Sequence, residues 1–381
     1  MKKSLVLSLA VASLLGADAL DSAFKNAKVD GYIRAGYQNQ DISSDKSYKS
    51  DSIGGKLHFE TAPINGIIAG LSFYTTNKIN NNDGEGIPFF DSNNKSYSIL
   101  GEAYLEGNFG NTTIKLGRQE LDTPFADTDD VGMIPNTFEA GVLINKDIKD
   151  TTLILAQVQK WAGVDAPSPE KFTKMKNDDS VQAIGAIYEG IEGLAFSGWY
   201  YDLKSKNSDD LENISYVDAV YESTINSIKY EAGLQYAKQS FKDQKDSKVY
   251  GAILSISFAN SGLTFSGAYD KVKDHAATNG FGGGPFFTND EDLTVAELGT
   301  GKSRLFGVEW DVSVIGLDGL SLIYEDLKLK NDNGKKATEN DIILSYDIKE
   351  NLNLTAIYSD IDDRINGDKF KNTRVFLNYS F

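Results

Sequence analysis

Thr373-Arg374-Val375-Phe376-Leu377-Asn378-Tyr379-Ser380-Phe381 is the stretch whose reading decides the fold. Val375, Leu377, Tyr379 and Phe381 alternate with Arg374, Phe376, Asn378 and Ser380, the period of a strand with two unlike faces. The same period opens the chain's strand-rich region. Val29, Gly31, Ile33, Ala35 and Tyr37 share one face, and Asp30, Tyr32, Arg34, Gly36 and Gln38 share the other. Ile53, Gly55, Leu57 and Phe59 then form an apolar row against Lys56, His58 and Glu60. Further segments run from 66–76 to 371–381, giving eighteen candidate strands in all.

The connections separate the two folds that contain such strands. Short turns such as Pro63-Ile64-Asn65-Gly66, Gly190-Ile191-Glu192-Gly193 and Asn260-Ser261-Gly262 tend to alternate with long polar stretches at 77–96, 161–179 and 273–302. A soluble sandwich has little reason for this alternation. A membrane barrel has short turns at one end and long loops at the other. Glycines and charges on the polar face suit a water-filled lumen better than a dry core. Aromatic runs such as Phe73-Tyr74 and Trp199-Tyr200-Tyr201, with Tyr358, are compatible with interfacial girdles. A last strand ending in Phe381 is similar to the signal by which barrel-assembly machinery recognises bacterial outer-membrane proteins. The fold class is therefore all-β, a transmembrane antiparallel β-barrel.

Composition excludes much else. The 381 residues contain no cysteine and only two histidines, His58 and His275, which removes disulfides, thiolate zinc sites and most histidine chemistry. A net charge of −17 lacks the basic footprint of a nucleic-acid binder. Met1-Lys2-Lys3, the largely apolar residues 4–17 and Ala17-Asp18-Ala19 read as a signal peptide cut near Ala17 or Ala19. That divides the chain into an export signal at 1–19 and a barrel at 20–381, destined for the bacterial outer membrane. No later apolar run is long enough for a membrane helix.

The densest motif lies between the fifth and sixth strands. Gly117-Arg118-Gln119, Pro124, Asp129-Asp130 and Ile134-Pro135-Asn136-Thr137-Phe138-Glu139 resemble the OprD-like family of substrate-specific outer-membrane porins. The resemblance implies an eighteen-stranded monomeric barrel, often packed as a trimer, whose third external loop folds inward. It implies passage of small charged solutes such as amino acids, peptides or carboxylates through an arginine-lined constriction. Gly132 stands where members often carry a basic residue, so the family's basic ladder and substrate preference are not carried over there.

Arg34, Lys56 and Arg374 fall on the polar phase of the first, second and last strands, neighbours when a barrel closes. Arg118 shares its phase with Ile114 and Leu116, so it is expected to lie where the strand has ended and the chain turns inward, placing it with the basic residues of the constriction. Asp122, Asp127, Asp129 and Asp130 would then face the basic wall from the loop, an arrangement that selects by charge at close quarters.

Other readings remain at this stage. A secreted or surface β-protein binding a partner through long loops fits the strand pattern but predicts solubility without detergent. A barrel hydrolase would need His58 with a serine and an acid, and no nucleophile elbow supports it. The acidic loops at 127–130 and 289–292 suit hard cations but lack an EF-hand pattern. Phe281-Gly282-Gly283-Gly284-Pro285 lacks the ending of a phosphate loop and reads as an external loop. The sequence offers no cofactor-binding motif, and the expected contacts are small hydrophilic solutes, lipid and lipopolysaccharide.

Overall fold

A computed structural model describes residues 17–43, 47–80, 84, 87–175, 180–203 and 211–381, with Ala17 and Asp368 described by their backbone alone. Residues 1–16, which carry most of the expected export signal, lie outside the described residues. A short helix, α1 (Ala17–Lys25), leads into the first strand and stacks Phe24 on Phe59 at 5.8 Å.

Among the described residues, eighteen strands form the wall. The first six are β1 (Lys28–Ile42), β2 (Tyr48–Glu60), β3 (Ile67–Lys78), β4 (Tyr97–Phe109), β5 (Thr112–Gln119) and β6 (Thr137–Asn145). Then come β7 (Thr151–Ala162), β8 (Val181–Ile191), β9 (Leu194–Asp202), β10 (Leu211–Ile225), β11 (Ile228–Phe241) and β12 (Ser247–Phe258). The last six are β13 (Leu263–Lys273), β14 (Gly301–Asp311), β15 (Leu320–Asn331), β16 (Lys336–Lys349), β17 (Leu352–Asp363) and β18 (Asp368–Ser380). Each pairs antiparallel with its sequence neighbours, and β1 also pairs with β18, for example Arg34 with Asn378, so the sheet closes without an edge. Every candidate segment lies on one of these strands.

Turns from even to odd strands are tight or nearly so, while the longest connections, 79–96, 120–136, 163–180 and 274–300, leave the opposite end. Not every connection at that end is long, since 332–335 and 364–367 are brief turns. The strand faces follow the two-residue period. Outward residues are apolar and uncovered, with Leu234 66% exposed, Leu254 53% and Ile342 56%. A water-facing surface would not carry such a band; a bilayer covers it. Inward residues include Ser52, Ser72, Asp270, Glu339 and Asp341, all fully buried.

The aromatic runs divide across the wall. Phe73, Tyr200 and Tyr358 face outward, whereas Tyr74, Trp199 and Tyr201 are buried inside. Only alternate members of the runs therefore belong to an outer girdle. The inner ones hold the loops.

Candidate functional site

Loop 120–136 is the third connection at the long-loop end, and it crosses the barrel. Phe125 is fully buried and packs edge-on against Tyr201 of β9 at 5.8 Å and Tyr216 of β10 at 5.7 Å. Five residues later, Asp130 meets Arg34 of β1. In a closed ring of eighteen strands, β1 and β10 are diametrically opposed. Five residues span at most about 17 Å, so the large side chains at both ends, Phe125 with its aromatic partners and Arg34, complete the reach from wall to wall.

The tether at β1 uses the whole guanidinium. Arg34 Nη1 and Nη2 donate to the two Asp130 carboxylate oxygens at 2.7 Å each, a bidentate geometry. Nη1 also donates to the Gly132 carbonyl at 2.7 Å and Nε to Asn378 Oδ1 at 2.7 Å. The carbonyl of Gly132, where a side chain of the basic ladder would have stood, is thus turned toward a basic residue on the wall.

A second long connection also folds inward. In loop 274–300, Phe286 packs on Phe125 at 5.8 Å, and Thr288 donates from both N–H and hydroxyl to Asp270 at 2.8 Å. Phe281 exchanges backbone hydrogen bonds with loop 120–136, its N–H donating to the Phe125 carbonyl at 3.0 Å and its carbonyl accepting from Asp127 at 3.3 Å. Gly282 permits this approach: its φ is +148°, and a Cβ there would overlap the Asp127 carboxylate. The glycine-rich stretch expected to be an external loop therefore sits in the barrel mouth, pairing with the constriction.

The other predicted site residues separate into three groups. Lys56 faces inward but does not meet the loop aspartates; it pairs with Glu102 at 3.0 Å and Glu120 at 2.9 Å. Arg374 pairs with Glu291 at 2.9 Å and Asp292 at 3.2 Å, both in the second loop. Arg118 corrects the expectation. Strand β5 continues through Gln119, so Arg118 keeps the outward phase of Leu116, lies 3.8 Å from Glu139 and covers the Phe172 ring at 4.2 Å. It is outside the lumen wall. Asp122 is exposed, and Asp130 alone of the four aspartates meets a basic residue of the wall among the described residues.

Asp127 and Asp129 face other acids instead. Burial, then Asp165 and Asp122, push the Asp127 carboxyl up to about 6. Burial, then Asp165, Asp127 and Asp130, push Asp129 up to about 7. In the second loop, burial and the facing Asp341 and Glu325 push Asp290 up to about 9. Glu291 is also raised by burial, against the pull of Arg374. Sequence reading missed Glu291, Asp292 and Glu102, because their partners lie far along the chain; the alternation of the strands does place Glu102 on an inward face.

His58 was the remaining chemical candidate. Its Nδ1 lies 2.7 Å from Ser72 Oγ, but that hydroxyl donates to Glu102 at 2.5 Å and is wholly buried. A serine with its proton committed to a carboxylate and no surface exposure is not placed for nucleophilic attack.

A closed, lipid-faced barrel whose mouth is bridged by inward loops is the architecture of an outer-membrane porin. The family model described as "outer membrane porin, OprD family" matches residues 81–381, and the chain belongs to that family. Among solved structures, Pseudomonas aeruginosa OpdK with vanillate aligns at a TM-score of 0.80 and 17% identity, covering 94% of this chain and 99% of that one. A BenF-like porin from Pseudomonas fluorescens Pf-5 gives 0.82 and 16%, and Pseudomonas aeruginosa OpdL 0.79 and 20%, with the same coverage. No curated protein matches the chain. The protein is a bacterial outer-membrane channel for small solutes, in a family whose members are porins rather than enzymes.

Proposed function

We propose that the channel passes small hydrophilic solutes carrying positive charge, cations and zwitterions such as amino acids or short peptides, by passive diffusion. One observation carries this reading. Arg34, Lys56 and Arg374 are each neutralised by carboxylates, whereas Asp127, Asp129 and Asp165, which face one another at the constriction, have no ion-pair partner among the described residues. A lumen with surplus negative charge raises the local concentration of cations and lowers that of anions. Arg34, Lys56, Arg374, Asp122, Asp127, Asp129 and Asp130 set the selectivity in this proposal, and Arg118 does not. OpdK was crystallised with vanillate, an aromatic carboxylate; the surplus of carboxylates in this lumen favours the opposite charge.

Export through the basic, apolar N-terminus, cleavage near Ala17 or Ala19, insertion by assembly machinery reading the strand that ends in Phe381, and trimer packing belong to the same proposal. The test is reversal potential across a planar bilayer under a tenfold salt gradient, with liposome swelling across cationic, anionic and neutral solutes. A cation-selective reversal potential is expected. Anion selectivity overturns the charge preference, and absence of stepwise conductance overturns the channel itself.

A further inference from the structure

Away from the bridging tether, loop 274–300 meets the wall at β16 in a cluster of acids. One carboxylate oxygen from each of Asp290, Glu339 and Asp341 lies within 4.8 Å of the others. Glu339 and Asp341 are fully buried. Glu339 is hydrogen-bonded, accepting the N–H of Asp292 at 2.9 Å and of Leu293 at 2.6 Å. Asp341 accepts no N–H: the Ser359 hydroxyl and the Asp290 carboxyl face it, but neither Asp341 oxygen, nor Asp290 Oδ2 nor the Ser359 hydroxyl, makes a hydrogen bond of good geometry among the described residues. Ser359 and Glu325 stand opposite Asp341 in the strand register on either side. Arg374, the base that meets the same loop, is engaged by Glu291 and Asp292.

Buried carboxylates without donors or counter-charges are costly, and a bound cation is one of the ways proteins hold them. We propose that Asp290, Glu339 and Asp341 bind a divalent cation, calcium, which fastens the second inward loop to the barrel wall. The donors are all hard oxygens, with no histidine or thiolate to favour zinc or copper. Oxygens within 4.8 Å of one another can share one hard cation, and calcium, with its flexible coordination, asks less of three fixed carboxylates than the near-ideal octahedron of magnesium. Asp290 belongs to the loop while Glu339 and Asp341 belong to β16, so the ion cross-links two elements that otherwise repel. The binding is independent of which solute the channel passes.

The test uses the full-length barrel, refolded free of lipopolysaccharide, stripped with EDTA and titrated calorimetrically with calcium chloride, with magnesium chloride as the comparison. One saturable site per chain is expected, tighter for calcium, together with a rise in melting temperature on calcium addition. Asp341→Asn and Glu339→Gln should each weaken calcium binding at least tenfold. Asp341→Asn should also melt above the parent in EDTA, because it removes the repulsion that the ion offsets. That gain shows the variant folded, and heat-modifiable gel migration shows it for both. No saturable calcium binding to the parent overturns the proposal and leaves a shared proton as the way the carboxylates are held. Equal calcium affinity in parent and Asp341→Asn also overturns it, because the ion then binds elsewhere.

Discussion

Replacing Arg34 with Met removes the tether at β1 while keeping an apolar stem against Tyr32 and Phe376, whose rings lie 4.9 and 5.6 Å from the guanidinium. The loss comprises two hydrogen bonds to Asp130, one to the Gly132 carbonyl and one to Asn378. Hydrogen bonds involving a charged group contribute about 1.5–3 kcal/mol each. The Asp130 side chain is 43% exposed, so water recovers much of its share, and about 2–4 kcal/mol remains for the loop attachment. A loss near 3 kcal/mol raises the detached population on the order of 100-fold. Phe125 stays wedged between Tyr201 and Tyr216, so only the half of the loop nearest β1 comes free. Single-channel recording in a planar bilayer should show frequent excursions to a higher conductance, and Arg34→Lys, unable to form the bidentate pair, should fall between. Conductance and current noise identical to the parent would refute the claim that this contact holds the constriction.

Arg118→Gln should leave the permeability ratio unchanged because Arg118 faces outward, whereas Arg374→Gln, which frees Glu291 and Asp292, should raise the cation preference; both are read as reversal potentials. The carboxyls of Asp127 and Asp129 are raised to about 6 and 7, above their unfolded values, so the loop's stability is full below the ordinary carboxylate range and falls as pH rises through those values. Cation selectivity and current noise should therefore both rise between pH 5 and 8, and Asp129→Asn should flatten the upper part of that profile. Leu234→Arg, in the middle of β11 on the lipid face, should destabilise the barrel by about 2–4 kcal/mol in a lipid-vesicle unfolding titration.

The wall was legible because a strand's two faces are written locally. Alternate residues report their surroundings without reference to anything distant, and the eighteen segments follow from that. Arg118 shows how the same rule can be set aside wrongly: its apolar phase was correct, and the assumed inward turn was not, since β5 runs on to Gln119. The inward course of loop 274–300 had no comparable signature. Its backbone pairing with Phe125 and Asp127 spans about 150 residues and leaves only a run of glycines behind. Lys56 and Arg374 were correctly placed on inward faces, but their partners, Glu102, Glu120, Glu291 and Asp292, depend on closure of the ring and on loop paths that no local pattern encodes.

Arg34 joins three parts of the chain that are far apart in sequence: its own first strand, Asn378 on the last strand, 344 positions away, and the loop at Asp130. Its docking geometry is complete only once β18 has zipped to β1, because Nε is oriented by Asn378. The anchor of the constriction at β1 is therefore complete only in the closed ring, and one guanidinium couples closure of the barrel to the position of the loop within it.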